Sequence, residues 1–238
     1  MGLGLKKRYQ VARVGLRYFA RRLGKPLPRS LPERDLPVAH VISLPHRQDR
    51  RLRLKQEFLR VGARFETFTG IAHSFPTLGC AISHRNLLRS LPMDEPVWIC
   101  EDDLVFSIDS GELNSIIRSF LVNEALDVLC LAHKTLGPVI PLPRSALALT
   151  AFSATTASYL VKPRARVKLL ESFDQSVSML GLGHPPNWAA IDIHWMTLQQ
   201  QSLVFCVPQH HSAHQAPGYS DIQLREVDYY GVEDHREN

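Results

Sequence analysis

The stretch Val97-Trp98-Ile99-Cys100-Glu101-Asp102-Asp103-Leu104-Val105-Phe106 decides how the rest of the chain is read. A short apolar run leads into three consecutive carboxylates, and a second apolar run leaves them. The first run has the length and composition of a buried strand inside an α/β sheet. The acids then fall at or just past its carboxyl end, the edge at which open α/β sheets bind ligands. Adjacent carboxylates repel one another, so a half-buried triplet needs a cation or hydrogen bonds to offset that cost. A divalent metal meets the need with few partners, and a metal held by carboxylates commonly carries phosphates. A solvated acidic turn between two strands is the alternative.

Upstream, Val38 to Leu44 is a first buried strand, stopped by Pro45. Gln48 to Arg60 predicts a helix with Leu52, Phe58 and Leu59 as its apolar positions. Arg64 to Phe68 alternates and predicts a second strand. This strand–helix–strand opening is the usual start of a nucleotide-binding half-domain. The sequence contains neither GxGxxG nor GxxxxGK[ST], which disfavours dinucleotide binding and P-loop phosphate transfer. A helix after Pro76, running through Cys80, Ile82, Leu87 and Leu88, leads into the central acidic strand.

Downstream, Glu112 to Val122 predicts a helix and Leu126 to Leu131 a strand. Residues 134–150 are rich in proline and glycine and predict a loop or hairpin bordering the site. Ala157 to Val161 predicts a strand, and Pro163 to Phe173 a helix with proline in its first turn. Gly181 to Pro186 is turn-rich, either a plain connector or the wall of an acceptor pocket.

The chain has 238 residues, enough for one large α/β domain with a sizeable core. Its composition is ordinary for a globular protein, with 45% apolar and 21% charged residues, which excludes a disordered chain. Cys80, Cys100, Cys130 and Cys206 are widely spaced with no CxxC pair, which disfavours a zinc ribbon, and three of them lie in apolar runs and read as small buried hydrophobes in a reducing compartment. The net charge of +5 is unevenly placed: residues 1–37 carry ten Lys or Arg against Glu33 and Asp35, while the remainder is net acidic. The body therefore lacks the basic surface that nucleic-acid binding needs.

Within the arm, Leu5, Tyr9, Ala12, Leu16, Phe19 and Leu23 recur at helical spacing and share one face, with Lys and Arg around much of the rest. A basic amphipathic helix suits an anionic membrane surface; a helix packed on the body and a transit peptide are the alternatives. No apolar run is long enough to span a membrane. The segment Lys25 to Pro37 contains four prolines and predicts an extended linker, so that residues 1–37 precede a single domain at 38–238.

Four blocks then form an ordered set: Ile42-Ser43-Leu44 followed by Asp49-Arg50-Arg51, Leu78-Gly79-Cys80-Ala81-Ile82-Ser83-His84, Ile99-Cys100-Glu101-Asp102-Asp103-Leu104, and Tyr219-Ser220-Asp221-Ile222. The set resembles glycosyltransferase family 25, which includes bacterial lipooligosaccharide galactosyltransferases and collagen galactosyltransferases. The resemblance spans roughly residues 38 to 228. It implies an α/β fold of the GT-A type, a single αβα sandwich around a nucleotide-sugar site. It also implies inverting transfer of a hexose, usually galactose from UDP-galactose, with Mn²⁺ or Mg²⁺.

By that resemblance Glu101 and Asp103 are metal ligands in a DxD-like turn, while Asp102 supports the turn or contacts sugar or ribose. Ser43, Leu44, Arg47, Asp49 and Arg50 would surround the uracil and ribose, although Arg50 could equally be a structural partner of Asp49 or of an acid in the turn. Gly79, Ser83 and His84 would approach the donor, or Ser83 and His84 would form a helix-to-loop hydrogen-bonding pair. Inverting transfer needs a base for the acceptor hydroxyl. Asp192 is the first candidate, or else a helix cap, with Glu171 and Asp174 after it. Histidines concentrate late, at His184, His194, His210, His211 and His214. Of these His214 would complete a metal shell, unless the cluster is simply solvated.

The leading expectation is a cytoplasmic transferase, peripheral at the inner face of the membrane, acting on a lipopolysaccharide, lipooligosaccharide or other surface glycan. A metal-dependent phosphoesterase and a non-catalytic nucleotide-sugar or membrane-surface binding protein are the alternatives.

Overall fold

Alternation along the central strand, β3 (Val97–Glu101), organises the molecule. Trp98 and Cys100 point to one side of the sheet, and Val97 and Ile99 to the other. Every one of these four side chains is buried, which is why the run carries no polar residue until Glu101. Trp98 packs its ring, tilted, 5.7 Å from that of Phe58 and donates its indole N–H to Ser158 Oγ at 3.0 Å. Burying a large apolar side chain of this kind contributes about 1.5–3 kcal/mol.

The computed structural model describes residues 3–25, 35–220, 222 and 225–227. The chain runs α1 (Leu3–Arg22), β1 (Ala39–Ser43), α2 (Gln48–Arg60), β2 (Phe65–Thr69), α3 (Pro76–Ser90), β3, β4 (Leu104–Phe106) and α4 (Ser110–Val122). Next come β5 (Val128–Thr135), β6 (Val139–Pro141), β7 (Leu147–Thr150), β8 (Ser153–Val161), and α5 (Arg166–Gly181) behind a 3₁₀ turn at Pro163–Ala165. The short helices α6 (Pro186–Ala189), α7 (Ile191–His194) and α8 (Met196–Gln201) precede β9 (Phe205–Pro208), β10 (Ala213–Gln215), β11 (Gly218–Ser220) and β12 (Arg225–Val227). Most of the proline-rich linker, and Asp221 of the last motif, lie outside the described residues.

The main sheet has the order β2-β1-β3-β8-β5-β9-β7-β6. Strands β1, β2, β3, β5 and β9 share one direction, with β8 reversed between β3 and β5 and β7 reversed beyond β9. Their carboxyl ends, at Ser43, Thr69, Glu101, Thr135 and Pro208, therefore gather on one edge. Helices α1, α2 and α4 supply the core on one face, and α3, α5 and the short helices supply it on the other. This is the αβα sandwich expected from the sequence. A separate ladder pairs β4 with β10 and brings the late residues 213–215 back to the strand that leaves the acids.

Several expectations are refined. In α2 the buried residues are Leu54 and Phe58, while Leu52 and Leu59 face solvent. Their helical spacing does not match that of Leu54 and Phe58, which lie four apart and share a face. Helix α4 starts two residues early because Asp109 and Glu112 form a capping box. Of the loop or hairpin expected at 134–150, the hairpin is found: β6 and β7 pair antiparallel and form the far edge of the sheet, while Lys134 lines a cavity at the site.

Helix α1 packs on the body through Val11, Val14 and Tyr18, not through the regular stripe read from the sequence. Arg17 donates to the carbonyls of Leu203 at 2.6 Å and Gln200 at 2.9 Å, and Arg21 pairs with the buried Asp127. The expected stripe faces outward: Leu16 and Leu23 are 71% and 80% exposed. Among the described residues no helix is long and apolar enough to cross a membrane.

Candidate active site

Period-two alternation places Glu101 on the same side of β3 as Val97 and Ile99, the side covered by α3. Two α3 residues one turn apart, Cys80 and His84, meet it there. His84 is fully buried, with Nδ1 3.0 Å from the Tyr159 hydroxyl and Nε2 3.4 Å from Glu101 Oε1. Thr156 donates its hydroxyl to the same Glu101 oxygen at 2.7 Å. Burial alone would raise the Glu101 pKa; His84, Thr156 and Arg50 outweigh it and hold the carboxyl below its usual value.

The close approach of α3 depends on Gly79. A methyl group there would lie 2.6 Å from the Ile71 carbonyl oxygen. Ser83 ties the same helix to the same loop, accepting from the Ile71 N–H at 2.8 Å and donating to the Gly79 carbonyl at 2.7 Å. Ser83 thus makes the helix-to-loop hydrogen bonds, and together with His84 it also lines a cavity at the acidic turn. Gly79 contributes spacing.

Asp102 and Asp103 form the turn between β3 and β4, and both are buried. One guanidinium nitrogen of Arg50, Nη1, bridges them at 3.0 and 3.1 Å, while Nη2 donates to the Tyr219 carbonyl. Arg50 is thus the partner of the acidic turn, the structural role the sequence left open. Asp103 remains unusual. Its Oδ1 is buried without a hydrogen-bond partner, and burial together with the Glu101 charge pushes its pKa up to about 7 against the pull of Arg50. The backbone of the late segment closes on it, the Ala216 N–H donating to the Asp103 carbonyl at 2.7 Å.

A second cluster comes from β8. Residues 155–157 bulge out of the β5 ladder, and Thr155 adopts φ +72°. A β-branched residue in this region is strained, and such strain concentrates at functional sites. The bulge turns the Thr155 N–H onto Asp192 Oδ2 at 3.0 Å and its hydroxyl toward Gln215 Oε1 at 3.3 Å. Asp192 lies in the first turn of α7 but does not cap it; its pKa is raised by burial, with Glu101 adding repulsion. Gln215 reaches Glu101 Oε2 at 3.5 Å. Thr155, Thr156, Gln215 and Cys80 are site residues that sequence reasoning missed.

The other candidates make contacts of their own around this centre. Arg47 and Asp49 pair with each other at 3.2 Å near the surface, which holds the Asp49 carboxyl down at about 2. Ser43 accepts from Arg51 at 3.1 Å, and Arg51 also donates to the Leu44 carbonyl at 2.7 Å. Asp174 pairs with Arg89 at 2.8 Å on the outer side of α5. His214 lines a cavity, but its Nδ1 contacts Ser107 Oγ at 3.1 Å and its ring stacks on His211.

A divalent cation fits the turn on two grounds: the orphaned Asp103 oxygen, and a carboxyl held near neutrality by burial and repulsion. Glu101 and Asp103 would hold it through oxygen, the donor set of Mn²⁺ or Mg²⁺. A softer donor group, Cys80, His84 and Glu101, also lies with its ligand atoms within 4.8 Å of one another. There, burial holds the Cys80 thiol well above its ordinary pKa, which makes it a poor ligand, and His84 Nε2 lies 3.4 Å from Glu101 Oε1.

Two cavities meet at this centre. The smaller, about 290 Å³, runs from Leu44 and Arg50 past Ile71 to the acidic turn. The larger, about 310 Å³, is bounded by Lys134, Thr155, Asp192 and Gln215. Glu101, Cys80 and Gln215 belong to both walls.

No protein-family model and no curated protein matches the chain. Among solved structures it is similar to A197 from STIV, at 12% identity and TM-score 0.42, over 81% of this chain and 93% of that one. It is also similar to a glycosyltransferase involved in glycosylation of the major capsid of PBCV-1, at 13% identity and TM-score 0.42, over 72% and 81%. A putative glucose-1-phosphate thymidylyltransferase from Bacillus anthracis follows at 10% identity and TM-score 0.33, over 73% and 68%. These are distant likenesses, and the functional reading rests on the side chains.

Proposed function

We propose that this protein is a glycosyltransferase of the GT-A type that uses a nucleotide sugar and a divalent cation. The observation that carries the reading is the convergence of two cavities on Glu101, at the carboxyl end of the central strand. One cavity is lined by apolar Ile42 and Leu44 and by Arg50, suited to a base, a ribose and phosphates. The other holds Asp192 and suits an acceptor hydroxyl. A hydrolase needs only one such pocket and a water.

In this mechanism the acceptor hydroxyl attacks the anomeric carbon and the bond from sugar to diphosphate breaks. The hydroxyl proton passes to Asp192, whose raised pKa brings it nearer the working pH of a general base. The Thr155 N–H fixes the orientation of that carboxylate. Arg50 holds Asp102 and Asp103 in place, and His84 with Thr156 keeps Glu101 ionised. A bound cation would neutralise charge growing on the departing diphosphate.

The family reading supplies finer detail: membership of glycosyltransferase family 25, inversion at the anomeric carbon, UDP-galactose as donor, Mn²⁺ as cation and a surface glycan as acceptor. The test is release of UDP from a panel of UDP-sugars without acceptor, by the wild type and by Asp103→Ala. Slow, cation-dependent release from one sugar, lost in the variant, is expected. Absence of both turnover and cation-dependent binding for every UDP-sugar would refute it.

A further inference from the structure

We propose that the outward face of α1 is a docking surface for an anionic lipid bilayer, and that the helix lies in the interface plane with the body on its opposite side. The helix has two apolar faces. Val11, Val14 and Tyr18 are consumed by packing against the body. Leu5, Tyr9, Ala12, Leu16, Phe19 and Leu23 form the other, and all six are exposed. At about 3.6 residues per turn the two faces are diametrically opposed. A helix needs only one apolar face to pack, so the second is unexplained by folding.

The charges around the outer stripe identify what covers it. At the same helical pitch Lys6 and Arg13 flank it on one side, and Arg8 and Arg22 on the other. Lys6, Arg8 and Arg13 are exposed, and Lys6, Arg8 and Arg22 make no ion pair with the described residues. By contrast Lys7, Arg17 and Arg21 are turned inward onto body carbonyls or Asp127. Residues 1–25 contain no Asp or Glu. An apolar stripe bordered on both flanks by free cations, with no acid, is complementary to acyl chains beneath anionic headgroups. A second copy of the chain would bring like charges face to face along the whole stripe.

The placement also bears on the site. Lys7 reaches the Leu136 carbonyl just past the carboxyl end of β5, whereas Arg21 reaches Asp127 before its start. Helix α1 thus runs antiparallel to β5, and its amino end lies at the sheet edge that carries the acidic turn. A bilayer along α1 would lie beside that edge. The docking inference does not depend on the transferase reading, because vesicle binding requires neither donor nor acceptor.

The test is flotation of the full chain with vesicles of phosphatidylcholine alone and of phosphatidylcholine with one quarter phosphatidylglycerol. Binding to the anionic vesicles is expected to exceed binding to the neutral ones at least tenfold, and to weaken with salt, since each interfacial cation contributes about fivefold. Leu16→Glu with Phe19→Glu should abolish it, and Lys6→Glu with Arg13→Glu should lower it at least tenfold. All four side chains point away from the body, so the circular dichroism and melting temperature of both variants should match the wild type. Equal binding to both vesicles, no binding, or binding unchanged by Leu16→Glu and Phe19→Glu would overturn the proposal. A dimer in light scattering that this double variant dissolves would also overturn it, by assigning the stripe to a second copy.

Discussion

His84 Nε2 lies 3.4 Å from Glu101 Oε1, inside a helix–strand junction where the histidine is fully buried and its other nitrogen meets the Tyr159 hydroxyl. The relationship joins helix, strand and site: two α3 residues four apart cover the one acid that alternation turns inward. If the Tyr159 hydroxyl donates to Nδ1, the proton on Nε2 is directed at Glu101. The histidine thereby positions the carboxylate and keeps it charged.

Replacing His84 with Ala should let burial dominate at Glu101 and raise its pKa. The acid limb of the turnover profile should then move to higher pH. Stability should fall by about 1–3 kcal/mol, because the Tyr159 hydroxyl loses its buried partner. His84→Gln should recover much of the stability but not the acid limb. An unchanged pH profile in His84→Ala would argue against the positioning role.

Asp103 gives the cation-free protein an unusual pH dependence. Its folded pKa of about 7 exceeds its unfolded value, so between roughly pH 4 and 7 the native state binds more protons than the unfolded one. Stability from this group is therefore full below pH 4 and is lost as pH rises towards 7, by on the order of 1–4 kcal/mol. Urea titrations at pH 5 and pH 8, in chelator, should show that loss in the wild type and a smaller one in Asp103→Asn. Added Mn²⁺ should restore stability at pH 8 in the wild type alone.

Asp192→Asn keeps the size of the side chain and an acceptor for the Thr155 N–H but removes the base. Turnover with acceptor should fall about 10²–10⁴-fold, while UDP-sugar binding measured by calorimetry should stay within about twofold of wild type, since the residue lines the cavity away from Arg50. Loss of donor binding instead would place Asp192 in the donor pocket.

The legible part of this site is the part built from local pattern. The apolar run into Glu101, the Pro76 start of α3 and the strand–helix–strand opening follow from periodicity within a dozen residues. Long-range placement was not legible. The β4–β10 ladder joins residues more than a hundred positions apart and turns Gln215, rather than His214, onto Glu101. Adjacent strand residues face opposite ways, so a one-residue ambiguity exchanges the two. Thr155-Thr156 looks like ordinary strand sequence, and its bulge shows only in the register of β8 against the distant β5. In α1 the packing face includes the stems of Arg17 and Arg21, which a count of hydrophobic positions scores as polar.

Gly79 marks the tightest contact behind the site. Gly79→Ala would put a methyl 2.6 Å from the Ile71 carbonyl oxygen, a backbone atom that cannot rotate away. The helix must shift, carrying Cys80 and His84 with it. A loss of about 1–3 kcal/mol in thermal or urea unfolding is expected, with turnover falling further than stability alone requires. A variant as stable and as active as wild type would mean that the loop at Ile71 yields easily.

Arg50 carries the sharpest stability prediction. It is the cation between two buried carboxylates, Asp102 and Asp103, with side chains only 8% and 10% exposed. Arg50→Ala strands both acids, and removing one partner of a buried ion pair costs about 3–5 kcal/mol. Arg50→Lys retains charge but not the fork that joins the acids to the Tyr219 carbonyl, so it should recover only part of that loss. Asp102→Asn in the Arg50→Ala background should restore stability by removing an unpaired charge, whereas in the wild type the same change should destabilise. A double-mutant cycle from urea midpoints measures this coupling, and the expected sign reversal separates a bridging cation from a side chain that merely fills space. Additive effects of the two substitutions would mean that the bridge does not govern the turn.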